Sequence, residues 1–331
     1  MVATFRAFIV NKTAEGFQAG LGELRPTDLP AGDMLIRVIC SGVNYKDGLA
    51  SIPEGRVVRS YPFVPGIDLA GVVEQSSDAR FQAGDEVIVT SYDLGVSHYG
   101  GFSEYARVRA EWVVAKPEGL SLWEAMALGT AGFTAAMAVY QLEKNELKPE
   151  NGPVLVTGAT GGAGSVAVSI LHKLGYHVVA STGKQSEHAY LRELGADEIL
   201  DRAVTSAESS RPLEKEQWAG AVDAVGGSTL AYVLRTTQYG GSIAAFGNTG
   251  GVNLTTTVFP FILRGINLLG IDSVLCPMEL RRTIWQRLAT SYKPAQLLSH
   301  IGHDIRFEEL PEALARVLRG ETRGHAVVRI G

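Results

Sequence analysis

One stretch limits this chain more than any other: VLVTGATGGAGSVAV, residues 154–168. A continuous apolar run leads into Gly158, Gly161, Gly162 and Gly164, and an apolar pattern of helical period follows. Glycine lets a strand turn sharply into a helix and lets phosphates come close to the backbone. The helix start then supplies unpaired N–H donors and the positive end of a dipole. The spacing is G-x-x-G-x-x-G. A plain tight turn would show the same pattern, but strand and helix stand here in the right order within one βαβ unit. That context points to dinucleotide binding by Gly158, Thr160, Gly161, Gly162, Ala163 and Gly164.

Around this loop the texture alternates. PVLVTG, YHVVAST, DEILD, AVDAVG, GSIAAFG and INLLGIDSV read as strands, while SVAVSILHKLG and SEHAYLRELG read as helices ending in Gly175 and Gly195. Alternation at this spacing predicts an α/β unit with a doubly wound parallel sheet. The first third differs. MLIRVIC, LAGVVE, DEVIVT, EYARVR and WVVAKP are short apolar runs, cut by turn signals such as AGD at 31–33 and 83–85. They predict a small β-rich barrel or sandwich. SLWEAMALGTAGFTAAMAVYQL predicts a helix opened by Ser121 and Glu124 as a capping box. After Tyr292, FEELPEALARVLRG predicts a helix and HAVVRI a last strand, which return to the first domain. The expected division is therefore 1–122 with 293–331, and 123–292.

Glycine, 38 of 331 residues, is above the usual ~7%, and without any repeat it belongs in turns and ligand loops. The net charge of −5 with no Lys/Arg-rich block argues against nucleic acid as a partner. Two cysteines, Cys40 and Cys276, cannot build a disulfide framework, and both sit in apolar runs. The start, MVATFRAFIV, lacks signal-peptide order, and no apolar run is read as a membrane span, so the expectation is a cytoplasmic protein with no membrane partner.

The cofactor type follows from the second strand of the unit. An NAD site usually ends that strand with Asp or Glu, which binds the ribose 2′-hydroxyl. Here the end reads Ser181-Thr182-Gly183-Lys184, and Arg202 ends the next strand. Hydroxyls and cations suit a 2′-phosphate. Either cation alone would be read as a solvated surface residue; together, with the acid missing, they favour NADPH.

The blocks SGVNYKDGLA, PFVPGIDLAGVV, SYDLGVSHYGGFSEYA, LGTAGFTAA, VTGATGGAG and GIDSV occur in an order that resembles the medium-chain dehydrogenase/reductase superfamily from end to end. Within it the chain is most similar to the YhdH/YhfP-type quinone oxidoreductases, which include NADPH-dependent acrylyl-CoA reductases. The resemblance implies a GroES-like catalytic domain, a Rossmann domain and a homodimer. Alcohol dehydrogenases of the superfamily carry Cys-His where this chain has Asn44-Tyr45, and Gly-His-Glu where it has Gly66-Ile67-Asp68. One carboxylate does not make a zinc site, so no metal is expected.

The resemblance also gives SGVNYKDG a role. Asn44 would donate to a substrate carbonyl or to the ribose. Tyr45 would contact the cofactor or supply a proton. Asp47 would orient its neighbours or join a relay, unless it is simply a helix cap. Phe246, Asp272, Ser273 and Arg323 fall at positions that imply cofactor contact, against the plainer readings of a core aromatic for Phe246 and a surface arginine for Arg323. The implied activity is NADPH-dependent reduction of an activated double bond, acrylyl-CoA being the leading substrate and a quinone the alternative. An NADPH-binding sensor with little turnover is the reading from another class.

Overall fold

The structure, a computed structural model, describes residues 3–331, so the first two residues of MVATFRAFIV lie outside it. The chain divides into two units. One runs to Thr130 and adds Val274–Ala289 and Gly302–Gly331; the other is Ala131–Ser273 with Thr290–Ile301.

The second unit is built on six parallel strands. Their spatial order is Glu198–Asp201, Val178–Thr182, Val154–Val156, Trp218–Asp223, Thr237–Ala245 and Asn267–Gly270. Numbered along the chain, this is the doubly wound order 3-2-1-4-5-6, whose reversal point lies between Val154–Val156 and Trp218–Asp223. Strands in a parallel sheet are buried on both faces, and VLV and VVAST are accordingly buried at every position. Leu155, Val179, Ala221, Val233 and Ile243 form the core beneath them.

The first unit holds a seven-stranded sheet. Its path is Gly302–Arg306, His325–Arg329, Met34–Gly42, Asp68–Ser76, Glu86–Thr90 and Val113–Ala115, with Tyr105–Val108 also pairing onto Met34–Gly42. Met34–Gly42 alternates buried and half-buried residues, as a one-sided strand should, until its buried end at Ser41 and Gly42. Phe8, Phe63, Phe102 and Phe307 fill the core, each worth about 1.5–3 kcal/mol of burial. The last strand does return to this unit, pairing Val327–Arg329 with Gly42–Cys40.

Three features depart from the sequence expectations. The boundary falls after Thr130, not at 122; 293–301, expected in the first domain, belongs to the second unit; and Val274–Ala289 belongs to the first unit although the expected second piece, 123–292, includes it. The reason is Arg281, which is fully buried. Its guanidinium donates to the Thr90 carbonyl (3.0 Å), the Thr90 hydroxyl (2.9 Å) and the Val274 carbonyl (3.1 Å), and lies 4.3 Å over the Tyr92 ring. A buried cation so bonded ties its helix, Met278–Leu288, to the first unit.

The helix Leu122–Lys144 opens with the expected reciprocal cap, Ser121 N–H to the Glu124 carboxylate (2.8 Å) and Glu124 N–H to the Ser121 hydroxyl (3.1 Å). By length and composition it could cross a membrane, contrary to the sequence reading, but 78% of its most apolar window is buried inside the protein, as in a core helix. It is also interrupted at Gly129, where φ is 52° and ψ −158°.

Candidate active site

The glycine loop sits at the reversal point of the parallel sheet. Val154–Val156 ends, Thr157 sends its hydroxyl to the Asp223 carboxylate on the neighbouring strand (2.6 Å), and Ala159 N–H reaches the Ser181 carbonyl on the other side (3.2 Å). The loop is thus tied to both flanking strands before the helix Gly162–Lys173 begins. Gly164 is dictated by close approach: a Cβ there would lie 2.3 Å from the Gly158 carbonyl oxygen and 2.7 Å from the Ala159 Cα. Thr160 is buried, and Gly158, Gly161, Gly162 and Ala163 are half-buried. The N-terminus of a twelve-residue helix, entered through a glycine-rich turn, fits a pyrophosphate.

At the end of the second strand the hydroxyls serve the turn. Ser181 pairs with the Thr205 hydroxyl (3.1 Å), the Thr182 hydroxyl accepts Lys184 N–H (3.1 Å), and both residues are buried. Asp201 pairs with Thr182 across the sheet, so Arg202 follows beside Gly183; a Cβ on Gly183 would lie 2.9 Å from its guanidinium. Of the five residues expected to meet a 2′-phosphate, Gly183, Lys184 and Arg202 are therefore the better placed. Phe246 is half-buried just beyond Thr237–Ala245, its N–H on the Asp223 carbonyl (3.1 Å). Asp272 is exposed. Ser273 is buried, its hydroxyl accepting from Thr134 (2.7 Å).

SGVNYKDG lies in the first unit. Met34–Gly42 ends, Asn44 caps a short helix Tyr45–Ala50, and Tyr45 is exposed. Asp47 is fully buried, its two oxygens accepting Asn44 N–H (2.8 Å) and Ile67 N–H (2.9 Å). It is a clamp between two loops, so the capping and orienting reading fits it better than a relay. Burial, and next the nearby Asp68 charge, push its carboxyl up to about 7. The clamp fixes Ile67 and hence Asp68, one strand over. Gly100 and Gly101 hold the same segment through N–H bonds to the Val64 and Gly66 carbonyls (2.7 and 2.8 Å).

Asp68 is the centre of what results. One oxygen accepts the Asn44 side-chain N–H (2.8 Å) and Thr130 N–H (2.9 Å); the other accepts the Thr130 hydroxyl (2.5 Å). His325, buried at the start of the last strand, turns its Nδ1 to the Met126 carbonyl (2.9 Å), and burial pushes its pKa down. Arg323, two residues before it, is exposed.

Comparison with known proteins gives these two constellations a family. The model for the alcohol dehydrogenase GroES-like domain matches residues 30–118, and that for zinc-binding dehydrogenase matches 162–290. YhfP of Bacillus subtilis, provisionally named a quinone oxidoreductase, is 51% identical over all of both chains. This chain is a medium-chain dehydrogenase/reductase. Among other members, acrylyl-CoA reductase AcuI of Ruegeria pomeroyi is 50% identical over 98% of this chain and 99% of its own. The YhdH oxidoreductase of Salmonella enterica, solved in complex with NADP, superposes with a TM-score of 0.96 at 45% identity, covering 98% of this chain and 100% of that one. YhfP itself, solved with NAD bound, also superposes at 0.96, covering 99% of this chain and 100% of its own.

The family description mentions zinc, and the donors here do not fit it. Asn44 offers an amide, Ile67 offers nothing, and both oxygens of Asp68 are engaged. Among the described residues no three of His, Cys, Asp and Glu cluster for a metal. Sequence reasoning missed Thr130 and His325, and counted Asp68 only as a lone carboxylate. The available signal was Gly129 beside Thr130 in a strongly helical pattern, since an interior glycine there needs a packing or functional reason.

Proposed function

We propose that this medium-chain dehydrogenase/reductase is an NADPH-dependent, zinc-independent reductase of activated C=C bonds, with short enoyl thioesters such as acrylyl-CoA as its substrate class. The observation that carries the reading is the Asn44–Asp68 pair. The carboxylate takes one amide N–H, so the second N–H of Asn44 is turned away from it, a neutral donor held in fixed orientation. Such a donor can stabilise an enolate oxygen but does not replace the Lewis acid that alcohol oxidation uses. NADPH, when bound, supplies hydride from its nicotinamide C4. As the β-carbon accepts it, the C=C electron pair moves toward the carbonyl oxygen, where Asn44 donates. A proton from water or from the exposed Tyr45 phenol then adds at the α-carbon and completes the saturated thioester. The 50% identity to an acrylyl-CoA reductase supports this choice of substrate, and the equally high identity to YhfP supports a quinone as the second.

A homodimer belongs to the same proposal. Asn267–Gly270 is an edge strand with Leu268 exposed, and the neighbouring helix Phe259–Arg264 exposes Phe259, Ile262 and Leu263, an apolar stretch suited to a second copy. Cys40 and Cys276 are both buried, and two cysteines make no disulfide framework, which suits a reducing cytoplasm; the net charge of −5 gives no support to a nucleic-acid partner.

The test is oxidation of NADPH by chelator-treated protein with acrylyl-CoA and 1,4-benzoquinone in parallel. Higher kcat/KM on the thioester, surviving chelation, is expected. A quinone preference would move the assignment to the second reading, and loss of activity restored by zinc would overturn the metal-independent chemistry. Asn44→Ala should lower kcat about a hundredfold, the cost of one oxyanion donor.

A further inference from the structure

The interruption of the helix Leu122–Lys144 has a chemical use. In an unbroken helix Thr130 N–H would bond the carbonyl four residues back, that of Met126. At Gly129 the backbone leaves helical geometry, and a Cβ there would lie 2.6 Å from an Asp68 oxygen and 2.7 Å from the His325 ring. The break releases one donor and one acceptor, and both are reused. Thr130 N–H goes to Asp68 (2.9 Å), and the Met126 carbonyl takes the His325 Nδ1 (2.9 Å). That second bond makes Nδ1 the protonated nitrogen of the imidazole, since a carbonyl only accepts.

The directions of the remaining bonds follow. The Asp68 carboxylate only accepts, so the Thr130 hydroxyl donates to it (2.5 Å) and can then only accept from Ser91, whose hydroxyl lies 3.0 Å away. Ser91 is held there by a left-handed backbone (φ 65°), costly for a serine, and by its N–H on the Ile67 carbonyl (2.8 Å). The chain of donors runs Ser91 to Thr130 to Asp68, and Asp68 also accepts the Asn44 amide, on the oxygen that takes Thr130 N–H. A carboxylate fixed by two bonds from one residue cannot rotate to follow the Asn44 amide; the amide must follow the carboxylate.

We infer that Thr130, backed by Ser91 and permitted by Gly129, is a positioning residue that sets the orientation of the Asn44 amide through Asp68. The inference rests on Asn44 being the group that meets the substrate carbonyl. Thr130→Val keeps the shape and the backbone N–H but removes the hydroxyl.

Steady-state kinetics on acrylyl-CoA with Asn44→Ala, Thr130→Val, Thr130→Ser and the double variant Asn44→Ala/Thr130→Val make the test. Loss of one bond to a charged group predicts a drop in kcat/KM of about tenfold to a hundredfold for Thr130→Val. It should fall mainly on kcat, with NADPH affinity unchanged and near-complete rescue in Thr130→Ser. The double variant should match Asn44→Ala alone, because the two residues act in series. Effects that multiply, or a Thr130→Val enzyme as fast as wild type beside a damaged Asn44→Ala, overturn the inference. A silent Asn44→Ala instead removes the reading beneath it. If Thr130→Val does not fold, Ser91→Ala takes its place: a smaller loss that vanishes in the Asn44→Ala background supports the relay, and a multiplicative one refutes it.

Discussion

Gly164→Ala is a perturbation whose sign depends on which effect wins. By helix propensity alone, alanine inside Gly162–Lys173 should stabilise by about 1 kcal/mol. Sterics say otherwise. The new Cβ would lie 2.3 Å from the Gly158 oxygen and 2.7 Å from the Ala159 Cα, against an ordinary contact of 3.4–4 Å. Both obstructing atoms are backbone, so no side chain can rotate aside, and helix and loop must separate by about 1 Å. Gly158 is not loose, because its carbonyl also accepts Gly161 N–H (3.1 Å). A shift of that size takes an N–H···O bond of ordinary length beyond hydrogen-bond distance. A lost bond to a charged pyrophosphate costs about 2 kcal/mol, or about thirtyfold in affinity. The expected result is an NADPH Kd raised about thirtyfold or more in a fluorescence titration, with Tm lowered rather than raised and kcat at saturating NADPH little changed. A Kd within about threefold of the parent would show that the loop does not carry the pyrophosphate or that it yields freely, and the reasoning would fail either way.

Two further perturbations test other groups. Asp47 titrates at about 7 in the folded chain against an ordinary 3.8, so between about pH 4 and 7 the folded state holds a proton that the unfolded chain has released. Its contribution to stability is therefore present at low pH and lost as pH rises through that window, by up to about 1.4 kcal/mol per pH unit. Thermal unfolding across pH should show this slope in the wild type but not in Asp47→Asn, and parallel curves would contradict it. Lys184→Ala combined with Arg202→Ala should raise the KM for NADPH far more than that for NADH, since only the former carries a 2′-phosphate; equal changes would remove both cations from cofactor selection.

What could be read in advance was whatever a local pattern encodes. The run VLVTGATGGAG shows its strand, turn and helix within a few residues, because period and glycine placement are properties of contiguous chain. The cap at Ser121 and Glu124 is legible for the same reason. From its residues alone the Asn44 loop reads as a polar cluster after a strand, and only the family resemblance gives Asn44, Tyr45 and Asp47 separate roles. Asp47 and Asn44 are three residues apart, yet one is buried against backbone N–H groups and the other is half-exposed with its amide on Asp68. Arg281 and His325 gave no signal, since a buried arginine or histidine looks like any other until its acceptors are known.

The sequence by itself determined the doubly wound sheet, the glycine-rich turn between strand and helix and the likeness to a family, since each is written in neighbours along the chain. Only the tertiary structure decided that Asp68, Thr130, Ser91 and Asn44 are one network. Those residues come from four separate segments, and the bonds among them exist because Gly129 breaks a helix whose every local preference is to continue. The donor released by that break, Thr130 N–H, goes instead to a carboxylate delivered by a distant strand.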